Sequence, residues 1–92
     1  MNLRKANPSK SLNILKELIV QARQEKGLTQ EELAKAVCLS KWQIKEMEES
    51  DSFLIFYTMQ IKVHAAKRIG RYLGLKEAEY LQDADKSSFK LL

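Results

Sequence analysis

The residues able to do bond-making chemistry are few and scattered. His64 is the only histidine and Cys38 the only cysteine in 92 residues. Neither a metal cluster with recognisable ligand spacing nor a Cys/His pair adjacent in sequence is therefore available. The adjacent acids Glu31-Glu32 and Glu48-Glu49 point in different directions on a helix, which suits dipole compensation and solvated faces better than general acid/base work. No glycine-rich phosphate cradle is present. The chain is expected to bind rather than catalyse, with no metal and no cofactor.

Charge is the more informative feature. The net charge is +4, but it is unevenly spread: residues 1–27 carry +4, residues 28–52 carry −3, residues 53–75 carry +4 and residues 76–92 carry −1. Basic groups therefore gather on the N-terminal segment and around Lys62, Lys67, Arg68 and Arg71, where they could meet the phosphates of a polyanion or simply form a solvated face.

The elements that must position these groups are legible from their start signals. In LTQEELAKAVCLSKWQIKEM, residues 28–47, Thr29 with Glu32 and Ser40 with Gln43 form two capping boxes. Each has a hydrophobic staple, Leu28 to Leu33 and Leu39 to Ile44. Two helices separated by a three- or four-residue turn read as a helix-turn-helix, with Ala34 as the small side chain that a steep crossing requires. Around this pair, Ser11 is expected to cap a first helix reaching about Lys26, with Leu12, Leu15, Ile19 and Ala22 on one stripe. Gly27 would end it. A third helix is expected over Lys41 to Glu49. Thr58 would cap a fourth that carries Ile61, Ala65, Ile69 and Leu73 and stops at Gly74, and a short fifth would run from Lys76 to about Gln82.

Length and composition agree with one all-α domain over residues 11–83, preceded by a flexible basic arm (1–10) and followed by a tail (84–92). With one Pro and three Gly, the chain has little material for a sheet built on turns. A lone cysteine permits no internal disulfide and suits a reducing cytoplasm. The longest purely apolar run, Phe53 to Tyr57, spans five residues, too few to cross a membrane, and the polar N-terminus lacks the apolar core of a signal peptide. That run is expected either to pack on the core or to form a dimer seam.

The pattern Leu18, Arg23, Gly27, Leu28, Thr29, Gln30, Leu33, Ala34, Leu39, Ser40, Ile44 and Glu48 resembles the lambda-repressor-like, or XRE, family of bacterial and phage regulators. Two customary glycines are replaced, by Cys38 in the turn and by Ser50 after the third helix. The resemblance implies a five-helix domain that places the start of its third helix in the major groove of duplex DNA, a transcription regulator with a homodimer as one possible assembly. It implies a set of DNA-binding candidates. Gln30 would meet a backbone phosphate. Ser40, Lys41, Trp42 and Gln43 would face bases: Lys41 for guanine O6 and N7, Gln43 for adenine or a phosphate, Trp42 for a thymine methyl. Lys45 and Glu46 follow one turn later, where Glu46 could accept only from cytosine. Trp42 could equally anchor a protein contact.

The segment Arg71, Tyr72, Leu73, Gly74 and Leu75 is also similar to the end of the fourth helix in the cytoplasmic domain of the RodZ family of cell-shape proteins. That resemblance implies an alternative: an actin-like filament protein, bound through the fourth helix, in place of DNA.

Overall fold

The computed structural model describes residues 12–83, in which five helices are tied together by a short antiparallel ribbon. The elements are β1 (Leu12–Ile14), α1 (Lys16–Glu25), α2 (Gln30–Val37), α3 (Lys41–Glu49), α4 (Met59–Leu73), α5 (Glu77–Tyr80) and β2 (Leu81–Asp83). The expected arm and tail, and Ser11, lie outside the described residues.

The centre of the chain follows its local signals. Thr29 Oγ1 accepts from the Glu32 N–H at 3.0 Å while Glu32 Oε1 accepts from the Thr29 N–H at 2.9 Å. Ser40 and Gln43 repeat the arrangement at 3.1 and 2.8 Å. Thr58 caps α4 by accepting from the Ile61 N–H. Leu28 and Leu39, the outer halves of the two staples, pack against the core.

Helix ends are equally regular. After α1 the N–H of Gly27 donates to Gln24 O and that of Leu28 to Arg23 O; after α2, Cys38 and Leu39 donate to Lys35 O and Ala34 O; after α4, Gly74 and Leu75 donate to Arg71 O and Gly70 O. Each is a Schellman ending, which needs a left-handed residue just past the helix. Gly27 and Gly74 supply it freely at φ 72° and 80°, whereas Cys38 adopts φ 60° with a side chain.

Two expectations fail at the ends of the chain. The first helix starts at Lys16 rather than near Ser11, because Leu12, Asn13 and Ile14 are extended and pair with Asp83, Gln82 and Leu81. The Leu15 N–H adds a 2.7 Å bond to Tyr80 O. The fifth helix is correspondingly cut to four residues, its expected end having become β2. The apolar residues of LNIL and YLQ fit a helical or an extended period equally well over so short a span. A pairing between distant segments also has no connecting turn to announce it.

The core is drawn from every helix: Ile19 from α1, Leu33, Ala34 and Val37 from α2, Ile44 and Met47 from α3, Ala65, Ala66, Ile69 and Leu73 from α4 and Tyr80 from α5, with Phe56 inserted from the connection between α3 and α4. Each large side chain buried this way contributes about 1.5–3 kcal/mol. Ile61, expected on the buried stripe of α4, stands half exposed in its first turn, and Lys62 and Val63 are buried instead. Gly70 lets the Tyr80 ring lie directly on α4, since a Cβ there would stand 2.5 Å from the ring.

Replacing the left-handed Cys38 by glycine removes a Cβ penalty of about 1 kcal/mol. Cys38→Gly should therefore raise the urea-unfolding free energy by up to about that amount, less the entropy that glycine adds to the unfolded chain; a stability below wild type would show that the strain in the turn is smaller than that entropy.

Candidate nucleic-acid interface

The first turn of α3 stands on the Ser40 capping box, and this determines which side chains it presents. Gln43 spends its Oε1 on the Ser40 N–H, leaving its Nε2 group without an intramolecular partner among the described residues. Lys41 and Trp42 project outward. Trp42 is 63% exposed, and among the described residues the Lys41 ammonium has one loose ionic partner, Glu31 at 3.8 Å. Lys45, one turn on, pairs with Glu49 at 3.4 Å across the same helix.

The acids of this segment are drawn into the protein. Arg23 of α1 donates through Nε to Glu48 Oε2 at 2.7 Å and through Nη2 to Glu48 Oε1 at 3.0 Å, and its Nη1 donates to Leu28 O at 2.7 Å. Glu48 is buried, so this forked pair is withdrawn from solvent screening. Gln30 Nε2 donates to Glu48 Oε1 and Glu49 Oε2, both at 3.0 Å. The Gln30 amide, followed by Lys45, holds the Glu49 carboxyl below its ordinary pKa. Gln30, expected at a phosphate, thus ties the start of α2 to the end of α3 in the free protein.

Glu46 does not stand on the candidate surface. It is buried, its Oε2 accepting from Ser52 Oγ at 2.6 Å and its Oε1 from the Ile55 N–H at 2.9 Å. Burial pushes its pKa up, but the Ser52 hydroxyl, the Ile55 N–H and the charge of Lys62 outweigh that and hold it below the ordinary carboxylate value. Its expected base contact is corrected by its place in this network, since reaching a groove would break both bonds.

Lys62 is corrected in the same way. Expected among the phosphate-facing cations, it is only 2% exposed and donates to Ser50 O and Ser52 O at 3.1 and 2.5 Å. Burial pushes its pKa down, against the opposing pull of Glu46. The sequence held a signal for this: Lys62 shares the α4 face of Ala66, Ile69 and Leu73, where a charge needs internal partners. Of the other expected cations, Arg68 donates to Val37 O at 3.0 Å, closing the end of α2, Lys67 lies 3.8 Å from Glu77, and Arg71 is exposed. His64 is exposed on α4.

Against this geometry, a helix-turn-helix family model matches residues 19–52, from the middle of α1 through the Ser52 that bonds Glu46. Residues 19–52 are similar to the helix-turn-helix family. Both capping boxes, the Arg23–Glu48 pair and all of α3 fall within the match. No curated protein and no solved structure matches the chain. The helix-turn-helix family is one of DNA-binding regulatory domains, and the match supports DNA binding in general. No described helix is long and apolar enough to cross a membrane.

Two ties of this helix-turn-helix are open to test. Arg23→Met leaves Glu48 charged and buried without its main partner and should cost about 3–5 kcal/mol in chemical denaturation; a loss below about 1 kcal/mol would mean that the pair is dispensable. Because the Glu46 pKa lies below 4.5 in the folded state, its contribution is complete above that pH and is lost as pH falls through the folded value. Glu46→Gln should be less stable than wild type at neutral pH and should lose less stability on acidification below pH 4.5. Parallel acid limbs for the two proteins would remove Glu46 from the account.

Proposed function

We propose that the chain binds duplex DNA sequence-specifically by inserting the first turn of α3 into the major groove, and that it acts as a bacterial or phage transcription regulator in the cytoplasm. The observation that supports this best is the division of α3: Lys41 and Trp42 face solvent while Glu46 and Glu48 are turned inward. The acidity that argues against DNA is thereby directed away from the groove-facing turn. In this reading Lys41 donates to guanine O6 and N7, the Nε2 of Gln43 meets adenine or a phosphate, and Trp42 covers a thymine methyl. Ser40 and Lys45 flank them. Gln30 reaches a phosphate by exchanging one of its two carboxylate partners for it.

A second reading, protein binding through α4 in the manner of the RodZ family, is favoured by Tyr72. Its ring is half exposed beside Arg71 and lies 5.8 Å from the Lys26 ammonium. The RYLGL segment that suggests it is also accounted for by helix termination alone, with Gly74 left-handed and Leu75 closing the Schellman bond.

Trp42, the only tryptophan, reports on the proposed contact. Titration with duplexes selected from a random pool should change its fluorescence saturably, with affinity falling as salt rises. Lys41→Ala should weaken binding to the selected duplex by about 1–3 kcal/mol without altering the melting curve. Unchanged affinity would remove Lys41 from the readout. No fluorescence response at low salt, with helicity intact by circular dichroism, would replace this reading with the protein-binding one.

A further inference from the structure

The connection between α3 and α4 carries an exposed apolar tip that DNA binding by α3 leaves unused. Leu54 is 78% and Tyr57 82% exposed, and Phe53, Ile55 and Ile61 are each close to half exposed. We propose that this tip, together with the basic face of α4 that begins at Ile61, docks the protein on the surface of an anionic lipid bilayer.

The tip is built rather than loose. Phe56 plugs the core, the N–H groups of Phe56 and Tyr57 donate to Phe53 O and Leu54 O, and the Ile55 N–H is held by buried Glu46. Tyr57 is kept at φ 72°, a conformation rare for a bulky residue and one that concentrates where surfaces are functional. Apolar side chains gathered in water on so fixed a backbone mark a surface that meets a partner.

Charge identifies the partner. Residues 53–75 contain four Lys or Arg, one His and no acid. Lys62 is spent inside the protein, but Ile61, His64, Arg68, Arg71 and Tyr72 are all exposed and recur at steps of three and four residues, so they share one face of α4. The acids that flank this stretch in sequence are paired, Asp51 with Lys16 at 2.8 Å and Glu77 with Lys67 at 3.8 Å. A nucleic acid would meet the cations and leave the apolar tip in water. An uncharged protein groove would cover the tip and leave the cations unanswered. An anionic bilayer takes both: aliphatic and tyrosine side chains settle at the boundary of headgroup and hydrocarbon while basic groups meet the lipid phosphates. An insertion this shallow, with no spanning segment, makes the attachment peripheral and reversible.

Vesicles test this without DNA, so its failure is separate from failure of the groove reading. The full chain should co-sediment with sucrose-loaded vesicles containing one-third phosphatidylglycerol, come off them as salt rises, and bind vesicles of phosphatidylcholine alone about tenfold more weakly. The Leu54→Ser, Tyr57→Asn double variant alters two exposed side chains without changing charge, and Asn suits the left-handed turn. It should keep the wild-type circular dichroism and lose about tenfold in partitioning to the anionic vesicles. Arg71→Gln should lose about fivefold, the contribution of one basic group near an anionic surface. No binding to the anionic vesicles, equal binding to the two kinds, or undiminished binding by either variant would overturn the proposal. Sedimentation of the wild type without vesicles would also overturn it, by giving the tip to a second copy of the chain.

Discussion

The buried fork between Arg23 and Glu48 is the interaction on which the rest of the helix-turn-helix depends. The guanidinium sits near the end of α1, spans the turn to α2 through Leu28 O, and reaches the last turn of α3 through both carboxylate oxygens. Gln30 then brings the start of α2 to the same carboxylate. Three helices are thus set against one charge pair by bonds whose directions are fixed by a planar group. Withdrawing two charges from water offsets much of their attraction, so the pair contributes chiefly orientation; its removal is costly because one charge would be left buried alone.

Glu46 and Lys62 form a second tie of a different kind. The two charges do not make a short pair. Glu46 accepts from the Ser52 hydroxyl and the Ile55 amide, and Lys62 donates to the carbonyls of Ser50 and Ser52. Between them they fasten the polar start of the α3–α4 connection to α3 on one side and α4 on the other. This satisfies backbone groups that lie outside regular structure. It also explains why so apolar a connection can keep its side chains in water without collapsing onto the core: its backbone is anchored independently of them. The functional consequence is a division of the surface, with α3 free at its first turn and the apolar connection presented beside its end.

The sequence disclosed the parts of this fold whose causes are local. Thr29, Ser40 and Thr58 start α2, α3 and α4 with bonds to residues three positions on, and Gly27 and Gly74 end α1 and α4, so these bounds could be read directly. Cys38 was readable too, as a side chain in the left-handed turn position where glycine is customary. The β1–β2 ribbon was hidden, because its partners are some seventy residues apart in sequence and neither carries a period long enough to choose strand over helix. Glu46 and Lys62 were misplaced for a related reason: at a helical position a charge reads as surface until the tertiary partner that buries it is known. The α3 surface lies between these cases. Its position follows from the local caps, but the inward turn of its acids depends on Arg23, Ser52 and Ile55, which come from elsewhere in the chain.

Contact of DNA with the first turn of α3 is tested residue by residue by amide chemical-shift mapping. With the uniformly nitrogen-15-labelled protein and a selected duplex, the largest perturbations should cluster at Gln30 and from Ser40 to Lys45, with the buried amides of α4 little changed. Perturbations centred on Arg71, Tyr72 and the rest of the outer face of α4, with Ser40 to Lys45 unmoved, would contradict it.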